Sequence, residues 1–264
     1  MPETGRRLVQ AVPAIVFAGV IVALGEIWFT LGVLALGILA LNELYRMMGR
    51  ARPVNLAGFL VVAALCLTAL YGEREDVLIV LVAAFPLVFF LAVARPRRDN
   101  VSWGVAATFL GVLWIGLALV HAILLRELEH GGALVLLTLI GTFIGDTCAY
   151  FGGRAWGRTP LAPRISPNKT VEGLIAGILG ATFIFWLVGF GYHHEWFAGN
   201  DRLVIGAAIA FAAPVGDLFE SMLKRDLGVK DTGRFFGSHG GVLDRLDAAL
   251  FALPAAYYAS LAVL

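Results

Sequence analysis

Apolar residues along this chain gather into long runs broken by short polar segments. Nine runs are candidates for membrane spans: 8–24, 27–41, 54–71, 77–94, 103–125, 132–151, 171–192, 203–220 and 246–264. A helix that crosses the hydrocarbon layer needs about 20 mostly apolar residues. In lipid only a helix or a closed barrel satisfies every backbone N–H and C=O. The pattern therefore predicts an all-α polytopic membrane protein of about nine transmembrane helices. Only Gly25 and Glu26 separate the first two runs, which form a tight hairpin or do not cross fully. Arg6 and Arg7 before an apolar run look like the start of a signal peptide. No small-residue cleavage site follows, so the segment is read as an anchor.

The cations between the runs set the orientation, because cytoplasmic loops carry the excess of Lys and Arg. With the N-terminus in the cytoplasm, seventeen of the 20 cations fall on the inner side. They are Arg6, Arg7, Arg46, Arg50, Arg52, Arg95, Arg97, Arg98, Arg154, Arg158, Arg164, Lys169, Lys224, Arg225, Lys230, Arg234 and Arg245. Arg74, Arg126 and Arg202 remain outside, in short loops that also carry Glu73, Glu75 and Asp76. Nine spans put the C-terminus on the opposite side from the N-terminus.

Composition agrees. Residues of the AVILMFWYC set make up 59% of the 264, charged residues 15%, and the mean hydropathy is +0.84. Soluble domains run at about 45–50% apolar and about 25% charged. A net charge of +1 excludes a nucleic-acid binder driven by bulk charge, and the apolar excess excludes a disordered chain. Cys66 and Cys148 lie inside apolar runs and form neither a metal pattern nor a disulfide framework. There is no inverted repeat of the kind many transporters show, no GxxxxGK[ST] loop and no HExxH site. The His193, His194, Glu195 triplet falls on the outer side and reads as interfacial.

The chain divides by character. Residues 1–130 are bland spans with basic loops, a scaffold in which the Met47–Met48 and Phe89–Phe90 pairs serve packing or lipid contact. Residues 131–264 concentrate polar groups within and beside the helices and read as the catalytic region, with cytoplasmic loops 152–170 and 221–245. The chain's only three lysines, Lys169, Lys224 and Lys230, all fall there. A lysine is a compact point charge suited to phosphate oxygens.

Residues 144–173 hold Asp146 inside a span, where a carboxylate is costly and usually functional, with Tyr150 one turn on. Gly152, Gly153 and Gly157 are expected to break the helix and admit a ligand to the backbone. Ser166, Asn168, Lys169 and Thr170 precede an apolar run with Glu172 near its start, the pattern of a helix cap whose free N–H groups attract anions. Residues 216–247 are richer still. Asp217, Ser221 and Lys224 follow i, i+4, i+7 and share one helical face, with Glu220 beside it. Asp244 and Asp247 are one turn apart, hard oxygen donors of the type Mg²⁺ shares with substrate phosphates. Lys224, Arg225, Lys230 and Arg234 supply cations for phosphates, Gly240 and Gly241 expose backbone N–H groups, and His239 is a candidate for phosphate contact or proton carriage.

Residues 221–247 resemble the signature of the phosphatidate cytidylyltransferases, also called CDP-diglyceride synthetases. Every fixed position of that signature is met, by Ser221, Lys224, Arg225, Lys230, Asp231, His239, Gly240, Gly241, Asp244, Arg245 and Asp247. The stretch 166–173 is similar to the family's upstream loop, where a basic residue often stands at the position of Asn168. The resemblance covers the C-terminal half by motif. It implies that CTP and phosphatidate react to CDP-diacylglycerol and pyrophosphate, with Mg²⁺ and a second, monovalent cation such as K⁺. It implies metal binding by Asp217, Asp244 and Asp247, with Asp146 as a further member. It assigns the triphosphate to Lys224, Arg225, Lys230 and His239, with Asp231 and Arg245 in the same catalytic segment. Nucleotide or lipid phosphate falls to Ser166, Asn168, Lys169, Thr170 and Glu172, with Ser221, Gly240 and Gly241. A homodimer is compatible with it. The compact length suggests a bacterial plasma-membrane form with its site facing the cytoplasm. The rival readings are a CTP-dependent enzyme with another lipid acceptor, and a membrane transporter.

Overall fold

The computed structural model describes residues 16–96, 99–191, 201–233, 235 and 240–263, with the side chains of 189–191 left aside. A helix over 16–24 (α1) meets α2 (Glu26–Met47) at Gly25, whose φ of 67° places it in the left-handed region that suits glycine. There follow α3 (Asn55–Tyr71), α4 (Asp76–Val93) and α5 (Val101–Gly111). A π-helical turn at Val112–Gly116 joins α5 to α6 (Leu117–Glu127) in one continuous rod. The second half contains α7 (Gly131–Trp156), a hairpin of β1 (Pro160–Ala162) and β2 (Ser166–Thr170), and α8 (Val171–Gly191). It closes with α9 (Asp201–Asp226), the short α10 (Leu243–Leu246) and α11 (Ala249–Val263).

Among the described residues seven helical segments are long and apolar enough to cross a membrane, and α3 is a shorter apolar helix of 17 residues. At 1.5 Å per residue α3 is about 25 Å long, near the lower limit for a span. Eight of the nine expected runs each coincide with a helix, counting α10 and α11 as the last. Of the first run, 8–24, only 16–24 lies within the described residues. Three helices overrun their apolar stretches: α2 to Met47, α7 to Trp156 and α9 to Asp226. Backbone hydrogen bonding continues a helix whatever the side chains are, provided polar ones find partners. The overruns carry Glu43, Arg154, Ser221, Lys224 and Arg225.

Packing explains how the second half closes. Helices α7 and α8 lie antiparallel along a seam of small residues. A Cβ at Gly152 would overlap Ala176, one at Gly145 would stand 3.3 Å from Ala181, and one at Gly141 would stand 2.7 Å from Phe185. Lipid tails are as apolar as leucine, so helices in a bilayer associate through such close backbone approach. This corrects the expectation that Gly152 and Gly153 break the helix: α7 runs through both. The residues 160–170, expected as loop, form the hairpin, with Pro160 opposite Thr170 and Ala162 opposite Ser166.

Leu41, Leu44, Tyr45, Leu65, Ile115, Ile123, Leu125, Ile205, Ile209 and Leu243 are fully buried in one core that joins both halves. Two polar side chains of this region pair across elements. Tyr45 donates to the Thr108 carbonyl at 2.9 Å, and the Val54 N–H donates to Thr108 Oγ1 at 2.7 Å. By contrast Leu78, Val82, Phe85, Phe89 and Phe90 of α4 are exposed, a face suited to lipid. Cys66 is buried, while Cys148 is half-buried against Gly180.

Candidate active site

The C-terminal ends of α7 and α9 and the starts of α8, α10 and α11 converge at one end of the bundle, because the hairpin and the 227–242 loop return the chain to the end it left. The end of α2 joins them. Two constellations form there.

The first is a cleft of about 730 Å³ between α7, α8 and α9, closed at one end by the hairpin. Asp146, Asp217, Lys169, Ser166, Asn168 and Thr170 line its polar end, together with Tyr150 and Arg154. Thr142, Leu174, Ala181, Ala210, Pro214 and Leu218 make the rest of the wall. Lys169 and Asp217 form an ion pair across the polar end, and Ser221 donates to Asp217 Oδ1 at 3.4 Å. Thr170 is the cap the sequence predicts for α8: its Oγ1 accepts the Gly173 N–H at 3.1 Å. Glu172 turns outward from the cleft. Its carboxylate accepts the N–H groups of Arg158 and Thr159 at 3.1 and 3.2 Å and the Thr159 hydroxyl at 2.9 Å, which ties the end of α7 to the start of α8.

The second constellation centres on Lys224. Its ammonium contacts Glu220 Oε2 at 2.5 Å and Asp244 Oδ1 at 2.9 Å. Asp244 also accepts the Thr232 hydroxyl at 2.8 Å, the Thr232 N–H at 3.0 Å and the Gly241 N–H at 2.7 Å. The Gly241 N–H is thus spent on Asp244. Gly240, at φ 85°, is left-handed, and a Cβ on it would press on the Asp244 carboxylate. Asp247 accepts the Ala248 N–H at 2.7 Å, and its carbonyl lies against Gly216 of α9. Glu220 is 1% exposed, and its Oε1 has no hydrogen-bond partner.

The remaining expected residues lie at the rim. Arg225 Nε donates to the Ile165 carbonyl at 3.1 Å and so fastens α9 to the hairpin. Lys230, Asp231 and Arg245 are exposed. His239 and Arg234 lie outside the described residues. Two acids without a role in the sequence pattern stand here, Glu220 in the Lys224 constellation and Glu43 behind it. Glu220 was seen beside the α9 stripe but given no role, although it meets Lys224. Glu43 comes from the half read as scaffold. Its Oε2 accepts the Leu243 N–H at 2.8 Å and lies 3.3 Å from the Thr232 hydroxyl. Nothing in its own neighbourhood, past the apolar stretch of α2 and beside Arg46, marks it.

Hard oxygen donors dominate both constellations. Among the described residues no three His, Cys, Asp or Glu side chains already form a metal cage.

A polytopic helical bundle that gathers lysines and carboxylates at one end, beside a cleft part polar and part apolar, defines an integral-membrane enzyme. The chain belongs to the Cytidylyltransferase family, whose sequence model matches residues 5–263. Among its relatives is a phosphatidate cytidylyltransferase of Bacillus subtilis, 31% identical over 271 residues that cover 98% of each chain. The phosphatidate cytidylyltransferase of Aquifex aeolicus is 36% identical over 175 residues, 66% of this chain and 64% of the relative. That of Thermotoga maritima is 42% identical over 143 residues, 49% of each. The chain thus spans under two thirds of the latter two relatives and almost all of the first.

Proposed function

We propose that this chain is a phosphatidate cytidylyltransferase: it joins CTP and phosphatidate into CDP-diacylglycerol and releases pyrophosphate, at the cytoplasmic face of a bacterial plasma membrane. The observation that carries the reading is the cleft. Its polar end holds Lys169, Asp217 and Asp146, and its wall becomes apolar between α7, α8 and α9. A substrate with a phosphate head and acyl tails matches both parts. The Lys224 constellation stands at the same end of the bundle, where a water-borne nucleotide arrives.

In the reaction a phosphatidate oxygen forms a bond to the α-phosphorus of CTP, the bond from that phosphorus to the bridging oxygen breaks, and pyrophosphate leaves. The attacking oxygen is already deprotonated near neutral pH, so the chain needs no strong base. Its residues position and neutralise. Lys169 holds the lipid phosphate against Ser166 and Thr170. Lys224, with Arg225 and Lys230 on the same rim, draws the triphosphate and stabilises the leaving pyrophosphate. Asp244 orients Lys224 and is itself held by Thr232 and Gly241. The acids that face the cleft, Asp146 and Asp217, with Asp247 behind them, would hold Mg²⁺. The unpartnered Glu220 oxygen adds a further hard donor nearby. When bound, the ion supplies positive charge to phosphate oxygens. Asp244 would first have to release Lys224 to serve as a ligand.

The test is transfer of radiolabel from CTP to phosphatidate by purified protein, with and without Mg²⁺. Labelled lipid and an equal yield of pyrophosphate are expected with the ion present. No labelled lipid from a folded protein overturns the reading. Label only on an isoprenoid phosphate or an ether-linked acceptor replaces the substrate, and flux across proteoliposomes without CTP consumption replaces the class.

A further inference from the structure

Glu43 sits in the half of the chain that otherwise supplies packing, just past the apolar stretch of α2, yet it is 7% exposed, and a carboxylate so buried needs partners. Its contacts fall on both ends of one loop. Oε2 accepts the N–H of Leu243, the first residue of α10, at 2.8 Å, and it lies 3.3 Å from the hydroxyl of Thr232. Gly233 and Gly241 also lie close against the carboxylate: a Cβ on either would overlap it. The same loop wraps Asp244, through the N–H and hydroxyl of Thr232 and the N–H of Gly241. Asp244 in turn meets Lys224. Two carboxylates therefore share one loop, the first brought by α2 and the second facing the reaction.

We infer that Glu43 is a positioning residue, a post on α2 that holds Thr232 and Gly233 on one side and the stretch 241–243 on the other, so that Asp244 meets Lys224. Its donor is the Leu243 N–H, with the Thr232 hydroxyl, which gives its proton to Asp244 at 2.8 Å, in contact at 3.3 Å, so the role requires an acceptor oxygen at that reach and not a negative charge. A glutamine amide oxygen meets the requirement. An aspartate falls short by about 1.5 Å, the length of one C–C bond.

The readout of turnover rests on the function proposed above, while that of loop protection does not. Glu43→Gln, Glu43→Asp and Glu43→Ala are compared in the full chain by steady-state kinetics and by hydrogen exchange over 232–246. Glu43→Gln should keep both turnover and protection. Glu43→Asp and Glu43→Ala should lower kcat by about 10- to 100-fold, the loss typical of an outer group that orients a site, with KM little changed. Both should also speed exchange in the loop. Combining Glu43→Ala with Thr232→Val should cost less than the product of the two single losses, because both act through one contact. If Glu43→Ala does not fold, the Gln and Asp variants decide. An active Asp variant beside an inactive Gln variant overturns the inference, as do unchanged exchange in all three or losses that multiply. If the wild type transfers no cytidylyl group, the proposed function fails, and loop exchange alone decides the role of Glu43.

Discussion

Under the proposed function one side chain, Lys224, serves two states. Without a phosphate nearby, Glu220 and Asp244 neutralise it and are themselves kept from being buried charges without partners. With a triphosphate present, the same ammonium has stronger oxygens to meet. Lys224→Ala should therefore lower kcat by at least about 10²-fold, the scale of other lost electrostatic contacts to a transition state. A rise in KM alone would mark it instead as a group that binds ground and transition state equally. Asp244→Ala should abolish turnover while the protein still inserts and purifies, and near-normal incorporation of label from CTP would refute its placement in the site. The stripe of Asp217, Ser221 and Lys224 is legible in the sequence because helical periodicity is local. Glu43 is not, because Leu243 lies 200 residues away and nothing in either neighbourhood names the other.

Helices α7 and α8 depend on their small-residue seam. Gly152→Leu would drive a branched side chain into Ala176 on the facing helix, where neither backbone can retreat without opening the cleft. Overpacking of this kind costs about 1–3 kcal/mol. The variant should melt at lower temperature in detergent and lose activity in the same measure. Thr170→Val should cost about 1 kcal/mol through loss of the α8 cap, again read from the melting curve. The cap was legible, since Thr before an apolar run is a local pattern. The role of Gly152 and Gly153 was misread for a physical reason. Glycine weakens an isolated helix, but in a bilayer the backbone has no better partner than itself, and the missing side chain becomes room for α8. The hairpin over 160–170 also escaped the sequence, as its strands are three and five residues long and show no alternation.

The whole bundle places both constellations at one end, which the count of cations assigns to the cytoplasm. Single cysteines at Arg164 and at Glu75, both exposed, test that assignment in a background free of Cys66 and Cys148. A membrane-impermeant thiol reagent should label Arg164→Cys only in inside-out vesicles and Glu75→Cys only in right-side-out ones. The reverse result would turn the protein over. Chelation by EDTA should stop label transfer, and added Mg²⁺ should restore it.

Composition and run length were enough to establish an all-helical membrane protein, because the bilayer allows its backbone so few solutions. The motif in 221–247 was enough to point to cytidylyl chemistry, because it resembles a known family's signature position by position. Distance in space was another matter. Folding put Asp146 and Lys169 beside Asp217, spent the Gly241 N–H on Asp244, and carried Glu43 across the bundle to hold the loop. Those pairings arise from helices meeting side by side, and local preference along a chain holds no record of which helix becomes whose neighbour.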